Sequence, residues 1–100
     1  MNAVEIGQEA VRTIDNRGPE RDLPDGERSM RRAVQVFNAM RSQNLTEEDG
    51  WWFMVALKAA RAMGGKFKLD DYVDGSAYVM LAGECAATGS SMLCLKQDQP

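Results

Sequence analysis

The chain contains no histidine among its 100 residues. This absence excludes catalytic triads and dyads built on a histidine base, and it excludes histidine metal ligands. Only two cysteines are present, Cys85 and Cys94, and their separation does not fit a zinc site. Both lie among apolar residues, so we expect reduced, partly buried thiols in an intracellular protein.

Long hydrophobic runs and an excess of positive charge are also absent. The apolar run at residues 51–57 is too short to cross a bilayer, and no basic and apolar leader opens the chain. A net charge of -3 argues against broad attraction to DNA, RNA or anionic lipid. We therefore expect a cytoplasmic protein with no membrane association and no nucleic-acid partner.

The hydrophobic periodicity predicts one all-α domain, a compact bundle of about four helices. Residues 1–15 form an N-terminal helix or an arm that packs on a partner chain. Residues 16–26 form a loop rich in Arg, Asp, Pro and Gly, residues 27–87 form the helical core, and residues 88–100 form a C-terminal tail.

Two sequence patterns in the predicted helical core make specific structural predictions. Thr46 and Asp49 have the spacing of a capping box, so a helix is expected to begin there. Eleven of the thirteen residues at 51–63 are apolar, so this third helix is apolar almost all round. One hundred residues supply few other helices to cover it, and we therefore expect a homo-oligomer. A fourth helix is expected from about residue 71, capped by Asp70.

Two pairs of charged residues lie on the predicted third and fourth helices, which are neighbours along the chain. Asp71 and Asp74 are three residues apart, a spacing that suits joint coordination of Mg²⁺. Lys58 and Arg61 have the same spacing on a helix that is otherwise almost free of charge, and both suit phosphate. The alternative is a structural salt-bridge network among the same four side chains.

Other residues extend the candidate site. Arg21 and Arg28 belong to an arginine-rich stretch that either binds an anion or pairs with nearby acids. Tyr78 follows Asp74 by one helical turn and is a candidate for contact with a base or sugar, as is Trp51. Aromatic residues at helical spacing also serve as core, and Trp51 and Trp52 are expected to point in different directions.

The order of these elements resembles a group of small phage-encoded helical domains of unassigned function. The resemblance covers roughly residues 20–86. It is carried by five segments: DLPDGER at 22–28, LTEED at 45–49, KAAR at 58–61, DDYVD at 70–74 and YVMLAGE at 78–84.

A more distant similarity is to the all-α nucleotide pyrophosphohydrolases of the MazG and dimeric dUTPase type. Those proteins hold Mg²⁺ against a triphosphate with an ExxE pair and an ExxD pair. Asp71 and Asp74 resemble the second pair, and the first pair has no counterpart in the second or third helix. The resemblance implies a nucleotide-binding protein with Mg²⁺, acting either in phosphohydrolysis or phosphoryl transfer, or in sequestering a nucleotide. The rival expectation is a protein-interaction module that inhibits a host protein.

Overall fold

The computed structural model describes residues 1–20 and 29–89. Four helices occur within these ranges, and no strand does. They are α1 (Ala3–Glu20), α2 (Ser29–Arg41), α3 (Glu47–Gly64) and α4 (Leu69–Thr88). The prediction of an all-α bundle is confirmed.

The centre of the bundle is an antiparallel hairpin of α3 and α4. Trp51 stacks on Tyr78 with ring centroids 5.7 Å apart, and further along the hairpin Lys58 pairs with Asp74. The two helices are in contact at Gly75, where a Cβ would lie 3.5 Å from the Cβ of Lys58, an ordinary van der Waals distance. α3 therefore packs against α4 along much of its length.

The outer helices complete the core by packing on this hairpin. α1 packs on α4, where Ala10, Val73 and Ala77 are buried together. α2 packs on α3 at Gly50, where a Cβ would lie only 2.8 Å from Cγ2 of Val34. Only glycine permits so close an approach without displacement of α2.

The connection between α2 and α3 is fixed by side chains. Asn38 is buried, donates from Nδ2 to the carbonyl of Leu45 at 2.9 Å, and accepts from the amide of Leu45 at 3.0 Å. At the start of α3 the amide of Asp49 donates to the hydroxyl of Thr46, and the Asp49 carboxylate accepts from the amide of Thr46. The predicted capping box is confirmed.

Two helix boundaries differ from the prediction. α1 continues to Glu20, so residues 16–20 are helical although Gly18 and Pro19 suggested a loop. Proline fixes φ near its helical value and removes one hydrogen bond, so it weakens the last turn of a helix without excluding it. α4 begins at Leu69 with Lys68 as its N-cap residue, so Asp70 lies inside the first turn and is not the cap.

Candidate functional site

Lys58 and Asp74 form an ion pair between the middle of α3 and the first half of α4. Nζ of Lys58 lies 3.1 Å from Oδ2 of Asp74, and the two side chains are 11% and 16% exposed. Of the salt-bridge network expected as the alternative among four side chains, the described residues show this pair of Lys58 and Asp74. Because the pair is largely removed from water, loss of either partner would leave a poorly solvated charge.

Asp71 lies one turn before Asp74 and is 8% exposed. Within the part of the chain that the structure describes, its carboxylate has neither a hydrogen bond nor an ion pair. It lines an open depression of about 730 Å³, and neither of its oxygens is sealed from solvent. Asp71 is therefore a nearly buried acid whose carboxylate remains accessible from one side.

Three cationic residues share this depression with Asp71. Arg61 comes from the last turn of α3, and Lys66 and Lys68 come from the connection to α4. All three are exposed. Ala60, Gly64 and Gly65 complete the lining.

The start of α4 adds to the positive character of the depression. Amide groups in the first turn of a helix have no partner within the helix, and they carry a partial positive charge. The amide of Asp71 donates to the carbonyl of the N-cap residue Lys68 at 3.1 Å, and Lys68 makes no side-chain hydrogen bond to the remaining amides. Asp70 and Asp71 offset part of the dipole. Phosphate is the group that such a combination of free amides and cations suits.

A separate apolar cavity of about 250 Å³ lies among the four helices. Trp51 and Tyr78, both predicted to contact a base, line it together. Trp51 is buried and lies against Tyr78, whereas Trp52 is exposed and donates from Nε1 to Glu48 at 3.0 Å. The prediction that the two tryptophans diverge is thus confirmed.

The structure separates some of the other predicted site residues. Arg61 does not pair with Asp74, and Arg21 and Arg28 lie outside the described residues. Sequence reasoning missed Lys66 and Lys68. Their only signal was a position between a Gly-Gly helix end and a helix start that lacks a capping side chain.

The carboxylates on α4 fit Mg²⁺ in part. Among the described residues no group of three or more acids or thiols is arranged around one point. Magnesium, however, commonly takes only one or two carboxylates and completes its shell with phosphate oxygens and water. Asp71 is available for this role, whereas Oδ2 of Asp74 is engaged by Lys58.

Cys85 is not a nucleophile at neutral pH. Burial raises the pKa of its thiol to about 12, and the nearby carboxylate of Glu47 acts in the same direction. Since the thiolate is the reactive form, the Cys85 thiol is inert. It belongs to the core cluster around Trp51, Leu81 and Ala82.

A family model described as a domain of unknown function, DUF6378, matches residues 6–86. The chain belongs to this family. The match includes all of α2 and α3 and most of α1 and α4, so the basic depression and the apolar cavity both belong to the DUF6378 domain. Comparisons with curated proteins and with solved structures gave no match. No described helix of the DUF6378 domain is long and apolar enough to cross a membrane.

Proposed function

We propose that this protein binds a nucleotide through its phosphates at the depression between α3 and α4. The observation that carries the proposal is the convergence of Arg61, Lys66 and Lys68 on the uncapped start of α4. Arginine offers a planar pair of donors to phosphate oxygens, and lysine offers a point charge. The resemblance to MazG-type proteins supports a nucleotide over other phosphate esters.

Asp71 gives the site a place for a cation beside the phosphates. Its accessible carboxylate would hold Mg²⁺, and the metal would neutralise phosphate charge and orient the chain of phosphates. Asp74 would join it only where a phosphate drew the ammonium of Lys58 away from the carboxylate. The same arrangement serves a nucleotide-sequestering protein and a phosphohydrolase or transferase.

The apolar cavity supplies a second contact. Asp71 and Tyr78 are seven residues apart on α4, a rise of about 10 Å. An extended nucleoside triphosphate spans this separation, which would bring its base to the Tyr78 and Trp51 end of the hairpin.

A thermal-unfolding screen tests the proposal, with inorganic tripolyphosphate and nucleoside mono-, di- and triphosphates as probes, each with and without Mg²⁺. A probe at a hundred times its Kd adds about 2.7 kcal/mol of stability, which raises the midpoint of a domain this size by about 10 °C or more. Assay of the best probe for turnover then separates an enzyme from a sequestering protein. No shift with any probe would refute the proposal.

Paired arginine variants locate the site. Arg61→Gln removes a charge from the depression, and its affinity for the best probe should fall about tenfold to a hundredfold, because a charged hydrogen bond contributes about 1.5–3 kcal/mol. Arg41→Gln removes an exposed charge at the end of α2, away from the depression, and should bind as the unaltered chain does. Equal losses in both variants would indicate unspecific attraction.

A protein-interaction module is the second candidate. It is favoured by the apolar residues of α2 that remain exposed, Val36, Phe37 and Met40. A host protein captured by this helix would be lost on Phe37→Glu, whereas nucleotide binding would not change.

A further inference from the structure

Among the residues that the structure describes, the α3–α4 hairpin is covered by other helices on one side only. The apolar cavity is lined by residues of all four helices, so α1 and α2 lie on the same side of the hairpin. On the other side of the hairpin, the helical period places the side chains of one face of α3 next to the side chains of one face of α4. We call this second side the outer face. Its members from α3 are Trp52, Val55, Ala56, Ala59, Ala62 and Met63. Its members from α4 are Tyr72, Ser76, Val79, Gly83 and Ala86, and the connecting Phe67 stacks on Tyr72.

The outer face combines exposure with the absence of charge. None of its members is charged, and none of its larger aromatic or Met side chains is buried. The large side chains are exposed by 47% at Trp52, 83% at Met63, 74% at Phe67, 45% at Tyr72 and 42% at Val79. Contiguous apolar surface of this kind on a soluble domain marks an interaction site.

The exposed area matches the share of one partner in a small specific interface. With about 200 Å² for a large side chain, these five residues alone expose about 600 Å². Two such faces together would bury about 1,200 Å², above the roughly 1,000 Å² that separates specific interfaces from incidental contacts.

We propose that the outer face binds a second copy of this chain. A two-fold interface requires one surface to offer both protrusions and recesses, because each patch meets itself. The outer face has large side chains towards its two ends, Trp52 at one and Met63 with Phe67 at the other. Between them lie small residues such as Ala56 and Ala59, over which two hairpins approach closely. The paired hairpins form a four-helix bundle flanked by the outer helices.

The absence of charge favours a copy over a foreign partner. Interfaces that select a different protein commonly use complementary charges to set orientation and specificity. The outer face presents none, whereas Arg61, Lys66 and Lys68 lie at the depression. Since Val79 and Met63 do not line the depression, this inference is independent of nucleotide binding.

Sedimentation equilibrium of the full chain tests the inference. We expect a mass near twice 11.1 kDa at about 0.1 mM. Val79→Arg places a charge at the centre of the outer face and should raise the dimer Kd about 100-fold. Val36→Arg is the matched control, because Val36 is similarly exposed at 52% but lies on α2, and it should remain dimeric.

Met63→Glu is a second test of the dimer, in case Val79→Arg does not fold. Met63 is so exposed in the single chain that a charge there is solvated, and helicity by circular dichroism should be retained while the dimer is lost. An unaltered chain that stays monomeric at about 0.1 mM would overturn the inference and leave the outer face to a different protein. Dimers that persist in both Val79→Arg and Met63→Glu would also overturn it, as would equal loss in Val36→Arg.

Discussion

The two connections that flank α3 are built in opposite ways. Before α3, Asn38 binds both backbone groups of Leu45, and Thr46 and Asp49 cap the helix reciprocally. After α3, the chain passes through Gly64 and Gly65, and α4 begins at Lys68 without a side-chain cap. The first connection is capped by side chains. The second has one backbone hydrogen bond, from the amide of Asp71 to the carbonyl of Lys68, and leaves the other amides of the helix start to solvent or a ligand.

If the depression binds phosphate as proposed, this difference separates stability from function along one helix. A buried polar side chain with two backbone hydrogen bonds holds a connection in one conformation. An uncapped helix start surrounded by cations costs stability but offers amides and charge to an anion. Substitutions at Asn38, Thr46 and Lys68 test this contrast, in order of decreasing expected change in stability.

Asn38→Ala should destabilise the protein most. It removes two hydrogen bonds and leaves the amide and carbonyl of Leu45 to find water, at a cost of about 2–3 kcal/mol. Chemical denaturation would measure the loss. Asn44→Ala, at an exposed position of the same connection, should change stability by no more than about 0.5 kcal/mol. Similar values for both variants would show that Asn38 does not hold the connection.

Thr46→Ala should cost about 1 kcal/mol, because the amide of Asp49 loses its acceptor at the start of α3. Thr46→Ser keeps a hydroxyl and should retain most of the stability. The midpoint of denaturant unfolding reports both values, and a serine variant as unstable as the alanine variant would contradict the capping role.

Lys68→Asp should have the smallest effect on stability and the opposite sign. Lys68 already has the extended backbone of an N-cap residue, with φ -136° and ψ 124°, so aspartate there should accept from the first turn of α4. We expect a gain of about 0.5–1 kcal/mol together with weaker binding of tripolyphosphate.

Lys66→Asp is the control, since it makes the same change of charge in the depression without reaching the N-cap position. It should weaken binding without the gain in stability. If Lys68→Asp gained stability but neither variant altered the binding of tripolyphosphate, the N-cap role of residue 68 would be supported and the phosphate site would be contradicted.

Local sequence patterns predicted the connection between α2 and α3 better than the connection between α3 and α4. The Thr46 and Asp49 spacing defines a capping box because both hydrogen bonds form within four residues. The choice between Lys58 and Arg61 as the partner of Asp74 was open, because the spacing within each helix permits both. Only the alignment of α3 against α4 decides it. The clustering of Lys66 and Lys68 with Arg61 likewise depends on how the chain turns between the helices, and no local pattern encodes that path.

The ion pair of Lys58 and Asp74 has a consequence for how α3 and α4 find their alignment. Both helices are apolar enough to pack in several registers, and a slide of one turn would preserve much of their apolar contact. Such a slide would separate Lys58 from Asp74. One of the two could then pair again, Lys58 with Asp71 or Asp74 with Arg61, but the other would lose its partner at a cost of several kcal/mol. The pair thus penalises the misaligned hairpins that a wholly apolar seam would tolerate, whatever it adds to the stability of the native one.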